Sequence, residues 1–139
     1  MTNNYSFLRG AALMGAFAGL SVSAPAQAPS LAMFDRLEKG RWELSERDRA
    51  GAKQVVRSVC LGEARRHLVQ VQHPGQSCSQ FVISDQPDQV TISYSCTGTG
   101  QGRTSIRAET SRVVQISTQG IVKGQPFSQS LEGRRIGSC

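Results

Sequence analysis

The sequence predicts a mainly β (α+β) protein: a curled antiparallel meander of six or seven strands with one or two short helices, stabilised by disulfides. Three observations predict it. From residue 41 onward apolar residues recur with a period of two, as in Trp42 and Leu44 or Val90, Ile92 and Tyr94, which is the pattern of half-buried strands. Short clusters rich in Gly, Asp, Pro and Lys separate these runs at hairpin spacing. Four cysteines accompany only five Phe, two Tyr and one Trp, so a modest core gains from covalent cross-links. With 38% apolar and 19% charged residues the composition is globular.

Residues 1–28 read as a secretory signal peptide. Arg9 closes a short positive region, Gly10 to Ser23 is small and apolar without charge, and Ala26-Gln27-Ala28 supplies the small-x-small cleavage pattern. That run is shorter than the roughly 20 residues a bilayer span needs, so no transmembrane segment is expected in the mature chain. Cleavage after Ala28 leaves 29–139 as a single domain, periplasmic or secreted, still basic and with all four cysteines.

Along the mature chain, Ser30 is expected to cap a short helix reaching Lys39, with Met33, Phe34 and Leu37 on one face and Gly40 as its stop. Arg41 to Ser45 alternates as a strand, Glu46 to Lys53 turns, and Gln54 to Leu61 returns. Gly62 to Gln72 is read as a second short helix ending before Pro74, with a strand through Val69 and Val71 as the competing reading. Ser79 to Ser84, the turn Asp85-Gln86-Pro87-Asp88 and the run from Val90 to Tyr94 make a hairpin. Thr97 to Gly102 is read as a mobile glycine-rich loop leading to a strand through Ile106; Val113 to Ile121 is the next strand, and Lys123-Gly124 turns the chain into Gln125 to Cys139.

Several of these features together resemble a known family. Gly40-Arg41-Trp42-Glu43 opens a strand, Cys60-Leu61 closes the next, and a hairpin runs from Cys78 to Cys96. The chain then carries Gly98-x-Gly100-x-Gly102 and ends in Gly133-Arg134-Arg135-Ile136-Gly137-Ser138-Cys139. Over roughly residues 40–139 this resembles the DUF3617 family of exported bacterial proteins. The resemblance implies export and four structural cysteines; the family's function being unknown, it implies no active site.

Cys60, Cys78, Cys96 and Cys139 are expected to form two disulfides. Their gaps do not match the close pairs of structural zinc sites, and neither metal nor other cofactor is expected. If Phe81 and Ile83 face the core together with Val90, Ile92 and Tyr94, the hairpin register places Cys78 and Cys96 on opposite faces. That excludes their pairing and favours Cys60–Cys78 with Cys96–Cys139 over Cys60–Cys96 with Cys78–Cys139.

No catalytic constellation is visible. The glycine-rich segment precedes a strand, whereas a phosphate cradle opens a helix. There is no G-x-S-x-G elbow, and His67 and His73 are read as surface residues. Asp85 and Asp88 are explained by turn chemistry. The arginines are the least ordinary feature: Arg65, Arg66, Arg103, Arg107, Arg134 and Arg135 are candidate anion-binding residues, since guanidinium suits bidentate contact with phosphate or carboxylate. Nucleic acid is not an expected partner, because the few aromatics are not interleaved with the basic residues. The expectation is a non-enzymatic binding or structural module of the cell envelope, touching anionic lipid, polysaccharide or an envelope protein. The alternatives are a carrier of a small apolar or anionic lipid-like ligand within the curled sheet, which an apolar cavity would mark, and a small hydrolase, which a Ser–His–carboxylate cluster would mark.

Overall fold

The computed structural model describes residues 28–62 and 64–139, so the expected leader lies outside the described residues except for Ala28. The period-two runs form seven strands: β1 (Gly40–Arg47), β2 (Lys53–Leu61), β3 (Cys78–Asp85), β4 (Gln89–Cys96), β5 (Gly100–Thr110), β6 (Val113–Val122) and β7 (Gln125–Gly137). One α-helix, α1 (Ala64–Val69), lies between β2 and β3. The sheet order is β2-β1-β7-β6-β5-β4-β3 and every pair is antiparallel. Thus β3 to β7 make a meander, and the β1–β2 hairpin joins it through β7. Among the described residues no pairing links β2 to β3, and the sheet is open along that seam.

Alternation sorts the two faces. Trp42, Leu44, Ile92, Ile106, Val114, Ile116 and Leu131 are all buried on one side, each worth about 1.5–3 kcal/mol relative to exposure. Leu68 and Val69 of α1 complete that core. The helix touches both β2, at one edge, and β5, near the other, which a flat sheet would not allow; the sheet curls around it. α1 is shorter than the expected helix and stops at Val69, before the turn in which the His73 N–H donates to the Gln70 carbonyl (2.9 Å).

The helix expected from Ser30 to Lys39 is absent. Only a 3-10 turn, Phe34–Arg36, forms, and Leu31 has φ 52°. Tertiary contacts override the helical spacing: Leu31, Met33, Phe34 and Leu37 are all buried against the sheet without a helix. Asp85, read as a turn residue, instead accepts the N–H groups of Ser30 (2.9 Å) and Leu31 (3.0 Å). The segment becomes a strap across one end of the sheet. Arg36 Nη1 donates to the Pro87 carbonyl (2.9 Å), Glu38 N–H to the Ser111 carbonyl (2.9 Å), and Trp42 Nε1 to the Glu38 carbonyl (2.9 Å).

The disulfides are Cys60–Cys139 and Cys78–Cys96, neither of them in the pairing the sequence favours. The parity argument fails on its premise. Phe81 and Ile83 face outward, 71% and 43% exposed, and a β-bulge between Val82 and Ser84 changes the register within the hairpin. On the cysteine side of the bulge Cys78 is directly opposite Cys96, with Cα atoms 4.3 Å apart. Cys139 does not return to β4, because β7 lies between β6 and β1; the chain's end is thereby next to β1 and reaches Cys60 on β2.

The glycine-rich segment is another correction. β5 begins at Gly100, so the turn is confined to residues 97–99. Gly100 has φ 134°, and the inner face of Gly102 is covered by the Tyr94 ring, whose Cζ would stand 2.6 Å from a Cβ there. Gly102 admits the close approach of the Tyr94 ring, and Gly100 a positive φ with the Ile121 backbone against it.

Candidate functional site: the seam between β2 and β3

The inner face is filled by side chains, and among the described residues the most spacious concave region opens where the sheet fails to close. A cleft of about 860 Å³ lies there. Leu31, Phe34 and Leu37 of the strap and Leu61 at the end of β2 form its apolar part; Arg66 and Gln70 of the helical connection and Gln80 of β3 form its polar part. Among the described residues Lys39 and Arg66 bring two cations to the lining and Asp35 one carboxylate. Arg66 is held by Nη2 contacts to the Gln76 carbonyl (3.1 Å) and Ser77 Oγ (3.5 Å). Arg66 and Gln70 also line a smaller cleft, about 470 Å³, on the other side of α1 with Arg57 and His67.

Beneath this seam a buried polar cluster fixes the connection between α1 and β3. Gln70 Nε2 donates to the carbonyls of His73 (3.0 Å) and Gln76 (2.7 Å). Thr104 Oγ1 donates to the Val69 carbonyl and lies 2.8 Å from Thr118 Oγ1. His73 is a surface residue by sequence but 2% exposed in the fold. Its Nδ1 is 3.2 Å from the Tyr94 hydroxyl, and its Nε2 is buried with no hydrogen-bond partner among the described residues. Burial pushes the Tyr94 phenol above its ordinary value, with a hydrogen bond to Thr118 acting in the opposite sense. The β pattern of this region gives no sign of the cluster, since Thr104 and Thr118 occupy inner positions that hydrophobic alternation assigns to apolar residues. No carboxylate touches either ring nitrogen of His73 among the described residues.

The six candidate arginines are not gathered at one site. Arg65 and Arg66 lie on α1 at the seam. Arg103 and Arg107 stand on the outer face of β5, where Arg107 pairs with Glu109 (3.1 Å). Arg134 pairs with Glu132 (3.2 Å) on β7. Arg135 Nε donates to the Lys39 carbonyl (2.8 Å) and lies 3.6 Å from Glu38, tying the strap to β7. The pairs at Arg107 and Arg134 are exposed ones of small energetic weight. Missed by the sequence reading are Lys39, Gln70 and Gln80, polar residues without a motif that the seam brings together.

Among the described residues no helix is long and apolar enough to cross a membrane, and no group of His, Cys, Asp and Glu has the arrangement of a metal site. Both disulfides fit an oxidising compartment. Comparison with curated proteins and with solved structures finds no match. A family model does match, over residues 37–139: the chain belongs to DUF3617, described as a protein of unknown function.

Proposed function

We propose that this is an exported, non-catalytic binding module of the cell envelope, and that its ligand site is the seam cleft, which takes a small anionic amphiphile. The observation that carries the reading is the lining: an apolar part from Leu31, Phe34, Leu37 and Leu61 bordered by Lys39 and Arg66. Ligand sites combine apolar walls with a few placed polar groups in this way. Export rests on the signal-like residues 1–28 and on two disulfides. A non-catalytic role is supported by the inward position of His73, whose side-chain hydrogen-bond partner among the described residues is Tyr94.

The test is NMR titration of the purified, oxidised protein with decanoate and with decanol. Decanoate is expected to shift the amides of Leu61, Gln70 and Gln80, and decanol to do so at least tenfold more weakly. Arg66→Gln combined with Lys39→Gln should abolish the preference. Equal response to both molecules, or shifts that avoid the seam at millimolar decanoate, would refute the assignment.

A further inference from the structure

The outer face of β4 to β7 is as unusual as the seam. Ser93, Arg103, Gln119 and Ser128 are consecutive cross-strand neighbours and form one row across four strands. At about 4.8 Å between strands the row spans about 14 Å. The row on one side carries Ser95, Gln101, Ile121 and Pro126, and the row on the other only serine and threonine. Arg103 is thus the sole charge in three rows, on a chain with formal charge +6. A shallow trough of about 510 Å³ runs over this face, with backbone at Gly102 and Gly120 in its floor.

Two further observations separate this face from an ordinary solvated one. The Arg103 side chain makes no ion pair or hydrogen bond among the described residues, whereas Arg107 and Arg134 on the same face are paired with Glu109 and Glu132. Phe81, at the β3 end of the central row opposite Ser93, is 71% exposed. Hydroxyl and amide side chains donate and accept together, which suits a polyhydroxylated ligand. An unneutralised guanidinium suits a carboxylate held bidentately. An exposed ring at the row's end offers a flat apolar surface to the C–H face of a pyranose.

We infer that this face is a binding site for an acidic polysaccharide, with a uronate carboxylate on Arg103, sugar hydroxyls on Gln119, Ser93 and Ser128, and a sugar ring against Phe81. The length of the row favours a chain over a single ion, because several weak contacts are made in register with one charge pair. This site is separate from the seam cleft and does not depend on it.

The experiment is affinity electrophoresis and calorimetry of the purified, oxidised protein with polygalacturonate and with the same polymer fully methyl-esterified, in low salt. The acidic polymer is expected to bind at least tenfold more tightly than its ester. Arg103→Gln should weaken binding at least tenfold and Gln119→Ala or Phe81→Ala several-fold. Arg107→Gln on the same face and Arg66→Gln at the seam should change it less than twofold. Because Arg103 has no partner to lose, its variant keeps the wild-type circular dichroism and melting temperature. Equal binding of the two polymers, no binding at millimolar uronate, unchanged affinity of Arg103→Gln, or an equal loss in Arg107→Gln or Arg66→Gln would overturn the inference.

Discussion

His73 stands edge-on to Tyr94, with ring centroids 5.4 Å apart, planes at 75°, and Nδ1 3.2 Å from the phenol oxygen. The pair joins the connection after α1 to β4, next to one edge of the sheet. The hydrogen bond joins two buried side chains, so removing the Tyr94 hydroxyl leaves the His73 ring desolvated with no partner among the described residues. Tyr94→Phe is expected to cost about 1–3 kcal/mol. His73→Phe fills the same space and also removes the unpartnered Nε2, and should cost less than His73→Ala, which leaves a cavity. Urea denaturation of the three variants gives the order, and an Ala variant as stable as the Phe variant would contradict it.

Tyr94 also predicts alkaline behaviour. Burial raises its folded pKa, so the associated stability is full below the ordinary tyrosine value of about 10. Above that value the unfolded phenol releases its proton while the folded one keeps it. Stability then falls with rising pH until the folded value is passed. Melting temperatures measured from pH 8 to 11 should decline in the upper part of this range, and Tyr94→Phe should decline less. Identical slopes would remove the effect from Tyr94.

Gly102 is predicted to be intolerant of any side chain. A Cβ there would stand 2.6 Å from Tyr94 Cζ, and the ring, already buried and tied to His73, has little room to retreat. Gly102→Ala should destabilise by about 1–3 kcal/mol, the usual cost of overpacking. Gly124, whose added Cβ would meet nothing within 4 Å but whose φ is 79°, is a control for backbone strain alone. Thermal unfolding of both variants, each alone and with Tyr94→Ala, separates the causes: only the Gly102 defect should be relieved by removing the ring.

The disulfides are predicted to differ in weight. Cys60–Cys139 closes a separation of 79 residues and Cys78–Cys96 one of 18, for which the chain-entropy model gives about 4.5 and about 3 kcal/mol. Non-reducing peptide mapping should recover these two pairs. Cys60→Ala with Cys139→Ala should lower the denaturation midpoint more than Cys78→Ala with Cys96→Ala, after allowance for the burial of Cys96. Recovery of a Cys60–Cys78 peptide from native protein would refute the pairing.

Features that depend on neighbours along the chain were legible in the residues alone. A residue's alternation decides which way its side chain points from a strand, so Trp42, Leu44, Val90, Ile92 and Tyr94 were legible as core, and the hairpin turns were legible from their Asp, Pro and Gly. The motifs from Gly40 to Cys139 were sufficient for the family. The remaining features depend on partners far away in sequence. One bulged residue in β3 reversed the face of Phe81 and Ile83 and put Cys78 opposite Cys96, and a single inserted residue leaves no mark in a periodicity that it merely shifts. The placement of β7 against β1 put Cys139 beside Cys60. Burial of Leu31, Met33, Phe34 and Leu37 at the end of the sheet outweighed their helical spacing, because local propensity is worth tenths of a kcal/mol per residue and core burial is worth more. The seam and the Arg103 row are of the same kind: each joins side chains from three or more elements, and only the curl and strand order of the folded sheet bring them to one surface.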